Sequence, residues 1–477
     1  MSFRLLVLGL AAVTMGIVGV AASDQAARPA EVPTFTKDVA PILFKNCTSC
    51  HRPGEIAPMS LLTYEDARPY ARAIFEEVRD QHMPPWHAEA PDGTFTNERK
   101  LTAAEKDILS RWANGGAPKG TTPMPPAPTY TDGWQLGTPD KTFEMIEPYE
   151  VPSSGTVNYE YFYVPSNLTS PTWVKGIEIR PSARSVVHHV LLYYWAKPDP
   201  TRVQVLVPNR EQSQLPEPTP GRSPRRGVPS LPGARPILVA TYAPGTNPQI
   251  MPAGTAIKLE PGGTFEFQMH YTTNGTATKD RTRVGLFLSQ DPSPREVRIS
   301  QFVNGQLKLP AGEADVAVDA EVGFSQPTTL WGLFPHTHLR GKKWRHVLVL
   351  PDGTKQTILD VSRYDFNWQT YYMFAKPIAI PAGAKIVSTA WYDNSAKNPA
   401  NPDPKVDVRW GDQTWEEMQY TGLIYSTGAP PVTGTATVRK WVPGSRIPEP
   451  GTRNPEPSST GQVVCPRWPV TSLRSPC

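Results

Sequence analysis

The sequence predicts a mainly β protein with a small all-α domain near its amino-terminal end, followed by two antiparallel β-sandwich domains. Three observations carry this expectation. Of 477 residues, 55 are proline, which suits many short strands and loops, because proline removes a backbone donor and breaks helix interiors. Beyond residue 140 the apolar residues fall in short runs separated by Pro, Gly and Asn, as in strands joined by turns. Helix-type signals, including a capping box, lie before residue 120.

The expected order is a signal peptide over 1–22, a helical domain over 34–120, a proline-rich linker over 121–139, sandwiches over 140–292 and 293–430, and a proline-rich tail over 431–477. A net charge of +4 without a Lys/Arg block argues against nucleic acid as a partner. Arg4, an apolar run from Leu5 to Val20 and the small residues Val20-Ala21-Ala22 read as a cleavable export signal. The alternative, a membrane anchor, needs a longer apolar run. No other stretch is long and apolar enough to cross a bilayer, so the expectation is a periplasmic protein with no stable span after signal removal.

Within the helical domain, Cys47-Thr48-Ser49-Cys50-His51 is the C-x-x-C-H signature of covalent haem c attachment. Two thiols bond the haem vinyls and the adjacent histidine ligates iron. A redox disulfide is the competing reading, which His51 and the export signal disfavour. Residues Thr36 to Phe44 predict a short helix limited by Pro41. Met83 is the expected sixth iron ligand and His82 its rival, while Met59 lies too soon after His51 to reach the opposite haem face. Thr102-Ala103-Ala104-Glu105 is a capping box, Ile108, Leu109 and Trp112 form an apolar stripe, and Asn114-Gly115-Gly116 ends the helix. From Thr34 to about Gly120 the chain resembles a small c-type cytochrome.

Strands are expected at Tyr159–Val164, Lys175–Ile179, Val186–Trp195 and Thr264–Tyr271, then at Thr328–Phe334, Arg345–Leu350, Lys385–Tyr392 and Gln419–Tyr425. Gln212 to Arg235 reads as a surface loop. Five of the nine histidines sit in three strand contexts: His188 with His189, His270, and His336 with His338. Alternation along a strand points His336 and His338 the same way, which suits two imidazoles closing on one metal ion. His188 and His189 need a bulge or a strand end before both can serve one ion. With no cysteine between Tyr130 and Pro430, a metal there has imidazole, thioether or oxygen ligands, which excludes blue copper, zinc-finger and iron–sulfur sites. His87 and His346 read as surface or hydrogen-bonding residues. Cys465 and Cys477, the cysteines outside the haem motif, are free to pair in an oxidising compartment.

Four motifs in order, Val187-His188-His189-Val190-Leu191-Leu192, Met269-His270-Tyr271, His336-Thr337-His338-Leu339-x-Gly341-Lys342-Lys343 and Trp415-Glu416-Glu417-Met418, resemble the copper type II, ascorbate-dependent monooxygenases. These include the peptidylglycine α-hydroxylating and dopamine β-monooxygenases, and the resemblance spans roughly Thr138 to Tyr425. It implies two copper ions, one on His188, His189 and His270, the other on His336, His338 and Met418. A thioether favours Cu(I), so the Met418 copper is the expected oxygen-activating centre and the all-imidazole copper the electron store. Met418 as a core gap-filler is the plainer alternative.

The implied activity is hydroxylation of a small organic substrate by O2, with electrons from a periplasmic donor passing through haem c. A non-catalytic electron-transfer or copper-handling protein is the second reading. Two departures argue against a peptide substrate. Phe334 stands where the amidating members place an arginine for the substrate carboxylate, and Tyr420 and Gly422 stand where they place Asn and Tyr.

Overall fold

The computed structural model describes residues 31–428, except 54, 56, 131–132, 216–232 and 244–247. The expected signal peptide, the tail with Cys465 and Cys477, and most of the Gln212–Arg235 loop lie outside the described residues. Among the described residues no helix is long and apolar enough to cross a membrane. The fold is mainly β, with a few short helices confined to the first part of the chain.

A π-type turn over Phe35–Val39 runs directly into a helix over Ala40–Asn46. Pro41 sits in the first turn of that helix, where its missing donor costs nothing. Short helical turns over Tyr64–Ala67 and Arg68–Tyr70 lead into Ala71–Arg79, and Ala103–Asn114 follows. The last helix starts at a complete capping box: the Glu105 N–H donates to Thr102 Oγ1 at 3.1 Å and the Thr102 N–H to Glu105 Oε2 at 2.7 Å. Phe35, Leu43, Leu109 and Trp112 are fully buried in a core of their own.

The β region holds two further cores, each enclosed by two sheets. In the first, Glu160–Pro165, Thr264–Tyr271, Val187–Ala196 and Arg235–Tyr242 form a four-stranded antiparallel sheet. The other sheet runs Lys141–Glu144, Arg283–Leu288, Thr172–Arg180, Thr255–Leu259 and Arg295–Glu296. Phe265, Phe267, Leu192, Val174 and Leu286 meet between them. In the second, Arg298–Val303, Tyr420–Thr427, Thr328–His336 and Tyr372–Ile380 form one sheet. Lys355–Val361, Gly341–Val349, Lys385–Tyr392, Val316–Phe324 and Leu206–Pro208 form the other, over Leu330, Leu333, Trp344, Ile386 and Leu423.

Chain segments cross the expected boundaries in three places. Leu206–Pro208, inside the first expected sandwich, pairs with Val316–Phe324 of the second. Gln212, at the start of the expected surface loop, is held there too: its carbonyl accepts from the Gly305 N–H at 2.7 Å and its side chain from the Glu321 N–H at 2.9 Å.

The third crossing is the largest. Trp86, Ala88 and Phe95, expected in the helical domain, belong to the second β core. Phe95 bridges to Phe374, and the Thr96 N–H donates to the Met373 carbonyl at 2.8 Å, so this strap extends the edge of the Tyr372–Ile380 strand. An edge strand presents unpaired N–H and C=O groups that a further extended segment satisfies. Trp86 and Phe95 pack edge-on against Tyr372, with centroids 5.1 and 5.6 Å away. The helical region is therefore stitched to the β region, beyond its tether through 121–139.

Candidate metal centres and the cavity between them

His189 and His270 are directly opposed on neighbouring strands. One step on, the register jumps so that Tyr271 faces Val187, leaving His188 as the extra residue of a β-bulge. The bulge turns His188 to the face of its neighbours. His188 Nδ1 and His189 Nδ1 are 3.2 Å apart, and His270 Nδ1 is 3.4 Å from His189 Nδ1. Two nitrogens each about 2.0 Å from one tetrahedral ion stand about 3.3 Å apart. Both separations match that value, and the donor atoms of all three imidazoles lie within 4.8 Å of one another, close enough to hold a single ion.

Burial holds all three histidines neutral, with His188 down to about 4 and His189 and His270 well below the usual imidazole value. Neutral rings keep the lone pairs that a metal needs. The Tyr159 hydroxyl lies 3.2 Å from His189 Nε2 and its ring stacks on His270 at 4.8 Å, bracing two of the three ligands from outside.

The His336–His338 pair is built differently. Its strand ends at His336, so Thr337 and His338 do not continue the alternation expected from the sequence. Side chains set the pair instead. The Tyr364 hydroxyl accepts from the Thr337 N–H at 3.2 Å and donates to the Thr337 carbonyl at 2.9 Å. The buried Glu417 carboxylate accepts from the N–H groups of His338 and Arg340, each at 2.7 Å, and of Met418 at 3.1 Å. Gly341 closes the turn because a Cβ there would lie 1.7 Å from Thr337 Oγ1.

Glu417 thus ties the Met418 segment to the turn that carries His338. Burial pushes its carboxyl up to about 7, against the lowering effect of those three donors. His336 Nδ1 donates to Gln369 Oε1 at 2.7 Å and His338 Nδ1 to the Glu416 carbonyl at 3.2 Å. Both acceptors are oxygens that cannot donate, so the protons sit on Nδ1 and the Nε2 atoms are left for a ligand. His338 Nε2 is buried without a hydrogen-bond partner, which suits a metal ligand. The rings stand 5.2 Å apart at 83°.

The two clusters share one cavity of about 740 Å3. His189, His336 and Met418 all line it. Phe366 stands between the clusters, stacked on His188 at 5.1 Å and edge-on to His338 at 5.9 Å. On the second-site side Phe334 lies parallel to His336, at 6.1 Å and 9°. Phe334 is paired across the sheet with Gly422, where an added Cβ would stand 3.1 Å from Phe334 Cβ and 3.4 Å from Tyr371 Oη. A bare residue 422 therefore leaves room for the Cβ of residue 334 and for the Tyr371 hydroxyl.

In the helical region, the Cys50 and His51 N–H groups donate back to the Cys47 carbonyl at 3.1 and 2.9 Å. This turn sets Cys47, Cys50 and His51 at helical spacing. Both cysteines are free. Burial pushes the Cys47 thiol up to about 12, whereas redox-active C-x-x-C pairs depend on a lowered thiol pKa. His51 Nδ1 is buried and unpartnered. The three side chains fit covalent haem attachment better than disulfide exchange.

Met59 packs against the helical core, with its backbone against the His51 ring. Met83 is half-buried outside that core, on the turn that follows Ala71–Arg79, and its N–H donates to the Glu77 carbonyl at 3.1 Å. His82 is exposed and pairs with Glu77 at 3.2 Å. From the haem-motif loop, Glu55 pairs with Arg52 at 2.8 Å and with Arg184, three residues before the His188 strand. His346 is fully buried, stacked on Trp344 at 5.5 Å and 3.4 Å from Thr421 Oγ1; His87 is half-buried.

No protein-family model matches this sequence, and no curated protein matches it. Among solved structures the chain is similar to the major capsid protein P2 of bacteriophage PM2, at 9% identity over 61% of this chain and 98% of that chain, with a TM-score of 0.23. It is also similar to the structure of infectious bursal disease virus Gx strain, at 11% identity over 64% of this chain and 80% of that chain, with a TM-score of 0.16. Likenesses this slight carry no argument about this protein.

Proposed function

We propose that this chain is an exported, periplasmic copper monooxygenase with its own haem c domain, built as a helical cytochrome followed by two antiparallel β-sandwiches. It hydroxylates a C–H bond of a small organic substrate with O2. The observation that carries the reading is the meeting of His188, His189 and His270 at metal-sharing distances, with His189 on the same cavity as His336 and Met418. Copper on His336, His338 and Met418 would activate O2, copper on the three-histidine site would hold an electron, and haem c on Cys47, Cys50 and His51, with Met83 as the proposed sixth ligand, would relay electrons from a periplasmic donor.

The chain's own residues supply the setting. Gln369 and the Glu416 carbonyl fix the His336 and His338 tautomers and aim their Nε2 atoms. Glu417 keeps Met418 beside the turn by binding backbone on both segments. Phe366 stacks on His188 and Phe334 lies parallel to His336, and burial keeps the histidines neutral. The Arg52–Glu55–Arg184 cluster ties the loop after Cys47–His51 to the segment leading to His188, which supports an intramolecular electron path.

The test is metal analysis of the purified protein together with oxygen consumption across a panel of small organic molecules. The reading expects two coppers and one covalent haem per chain and substrate-dependent uptake with a hydroxylated product. Full metal loading with no substrate-dependent uptake would favour a non-catalytic electron-transfer or copper-handling protein.

A further inference from the structure

The cavity wall beside His336 carries two buried hydroxyls, those of Tyr371 and Tyr420, that make no hydrogen bond. Buried polar groups in folded proteins are nearly always paired, so two orphans on one cavity mark where a ligand completes the network. Burial raises the pKa of the Tyr371 phenol, so it keeps its proton to donate. Tyr371 packs on Phe334 at 4.8 Å, and Phe334 in turn lies parallel to His336.

The position of Tyr371 is set from the far end of the sequence. Asn97 Nδ2 donates to the Tyr371 carbonyl at 2.6 Å, and Asn97 Oδ1 accepts from the Met373 N–H at 3.1 Å. One amide thus grips the backbone on both sides of Tyr372. Asn97 belongs to the strap from the helical region and also lines the cavity.

We propose that the Tyr371 hydroxyl is a specificity-determining contact for the substrate, that Asn97 is its positioning residue, and that the substrate is an uncharged, largely apolar molecule presenting a hydrogen-bond acceptor such as a carbonyl oxygen. The proposal rests on the reading of this cavity as the substrate site. An anion is disfavoured because Glu266 and Asp412 line the cavity against a single arginine, Arg99. An ammonium group offers only donors and leaves the phenol proton unpaired. A neutral acceptor satisfies the phenol and suits the aromatic wall.

The experiment measures binding of acetophenone, its acceptor-free isostere α-methylstyrene, and benzoate to the full-length purified protein, by calorimetry or ligand-observed NMR. Wild type is expected to favour acetophenone over α-methylstyrene by about fivefold to tenfold, with benzoate weakest. Tyr371→Phe is expected to bring the two neutral probes within about twofold while leaving α-methylstyrene binding unchanged. Asn97→Ala should lower the same ratio, which a merely structural contact would not move at constant α-methylstyrene affinity.

A ratio unaltered by Tyr371→Phe, a preference for benzoate, or no binding of acetophenone would overturn the proposal. Copper content and oxygen uptake on the same preparations test the underlying reading separately. Probe discrimination without copper would sink that reading alone, and copper with substrate-dependent uptake but no discrimination would sink this proposal alone.

Discussion

The two histidine clusters face the same cavity but are built from different materials. His188, His189 and His270 are placed by backbone: a cross-strand pair plus one bulge brings the three nitrogens together within a single sheet. His336 and His338 sit where a strand stops, and side chains from distant loops hold them: Glu417, Gln369 and Tyr364. A site made by a β ladder inherits the rigidity of the sheet. A site made by side-chain hydrogen bonds depends on each of them, and a buried network that loses one member leaves its partners unsatisfied.

The largest test of this difference is Glu417→Ala. It strips three backbone N–H groups of their acceptor, and each unsatisfied buried donor costs about 1–3 kcal/mol. A fall in Tm of many degrees is expected, with loss of copper from the His336 site and retention at the three-histidine site. Equal loss from both sites, by metal analysis and electron paramagnetic resonance, would show that the clusters are not independently supported.

Acidification should act on both clusters at once. The folded pKa values lie below the ordinary imidazole value, at about 4 for His188 and His336 and about 3 for His338. Between about pH 6.5 and those values the unfolded chain binds more protons than the folded one. The contribution to stability is therefore complete above about pH 6.5 and is lost as pH falls toward 4. The Tm of the metal-free protein should drop steadily from pH 7 to pH 4.5, and a flat profile would contradict the neutral, desolvated setting of the imidazoles.

His189→Ala should remove one copper and spare the other, because His336 and His338 are held by Gln369, the Glu416 carbonyl and Glu417, none of them in the first sheet. Copper stoichiometry falling from two to near zero would instead mean that the clusters assemble together. The finest comparison sets Gln369→Leu against Tyr159→Phe. Gln369 fixes the tautomer of His336, and losing such a partner weakens metal binding by about 10–100-fold. Tyr159→Phe keeps the ring on His270 and removes only the contact to His189 Nε2, so a loss of about threefold or less is expected at a site that the backbone already sets. Competition titrations of Cu(I) would rank the two.

What the sequence disclosed follows the same division. The capping box at Thr102 and Glu105 is local chemistry, and it stands where the pattern put it. The Thr264–Tyr271 and Lys385–Tyr392 strands begin and end where expected, and others differ by only a few residues, because alternating runs bounded by turn residues reveal strands locally. That His188 and His189 could serve one ion only through a bulge or a strand end was legible from alternation, and the structure has the bulge.

Gln369, Phe366 and Tyr364 were not legible, since a loop without periodicity does not announce which strand end it will reach. Glu417 was visible only as part of a motif around Met418, and its grip on the His338 turn depends on the fold. The strap from Trp86 to Asn97 was missed for a related reason: it falls inside the expected helical domain, and its pairing partner lies near Met373, far along the chain.

That strap bears on how such a chain can be divided. A cut within 121–139 would part the sequence between two apparently separate modules, yet the carboxy-terminal fragment would leave without Trp86 and Phe95, which are 8% and 3% exposed in the intact fold. Tyr372 and Phe374 would lose their cover, and the Tyr372–Ile380 strand would present a bare hydrogen-bonding edge beside them. An open apolar edge of that kind recruits other chains. Anyone expressing or recombining the β portion should therefore start upstream of Trp86, because the portable piece of this molecule overlaps its neighbour in sequence.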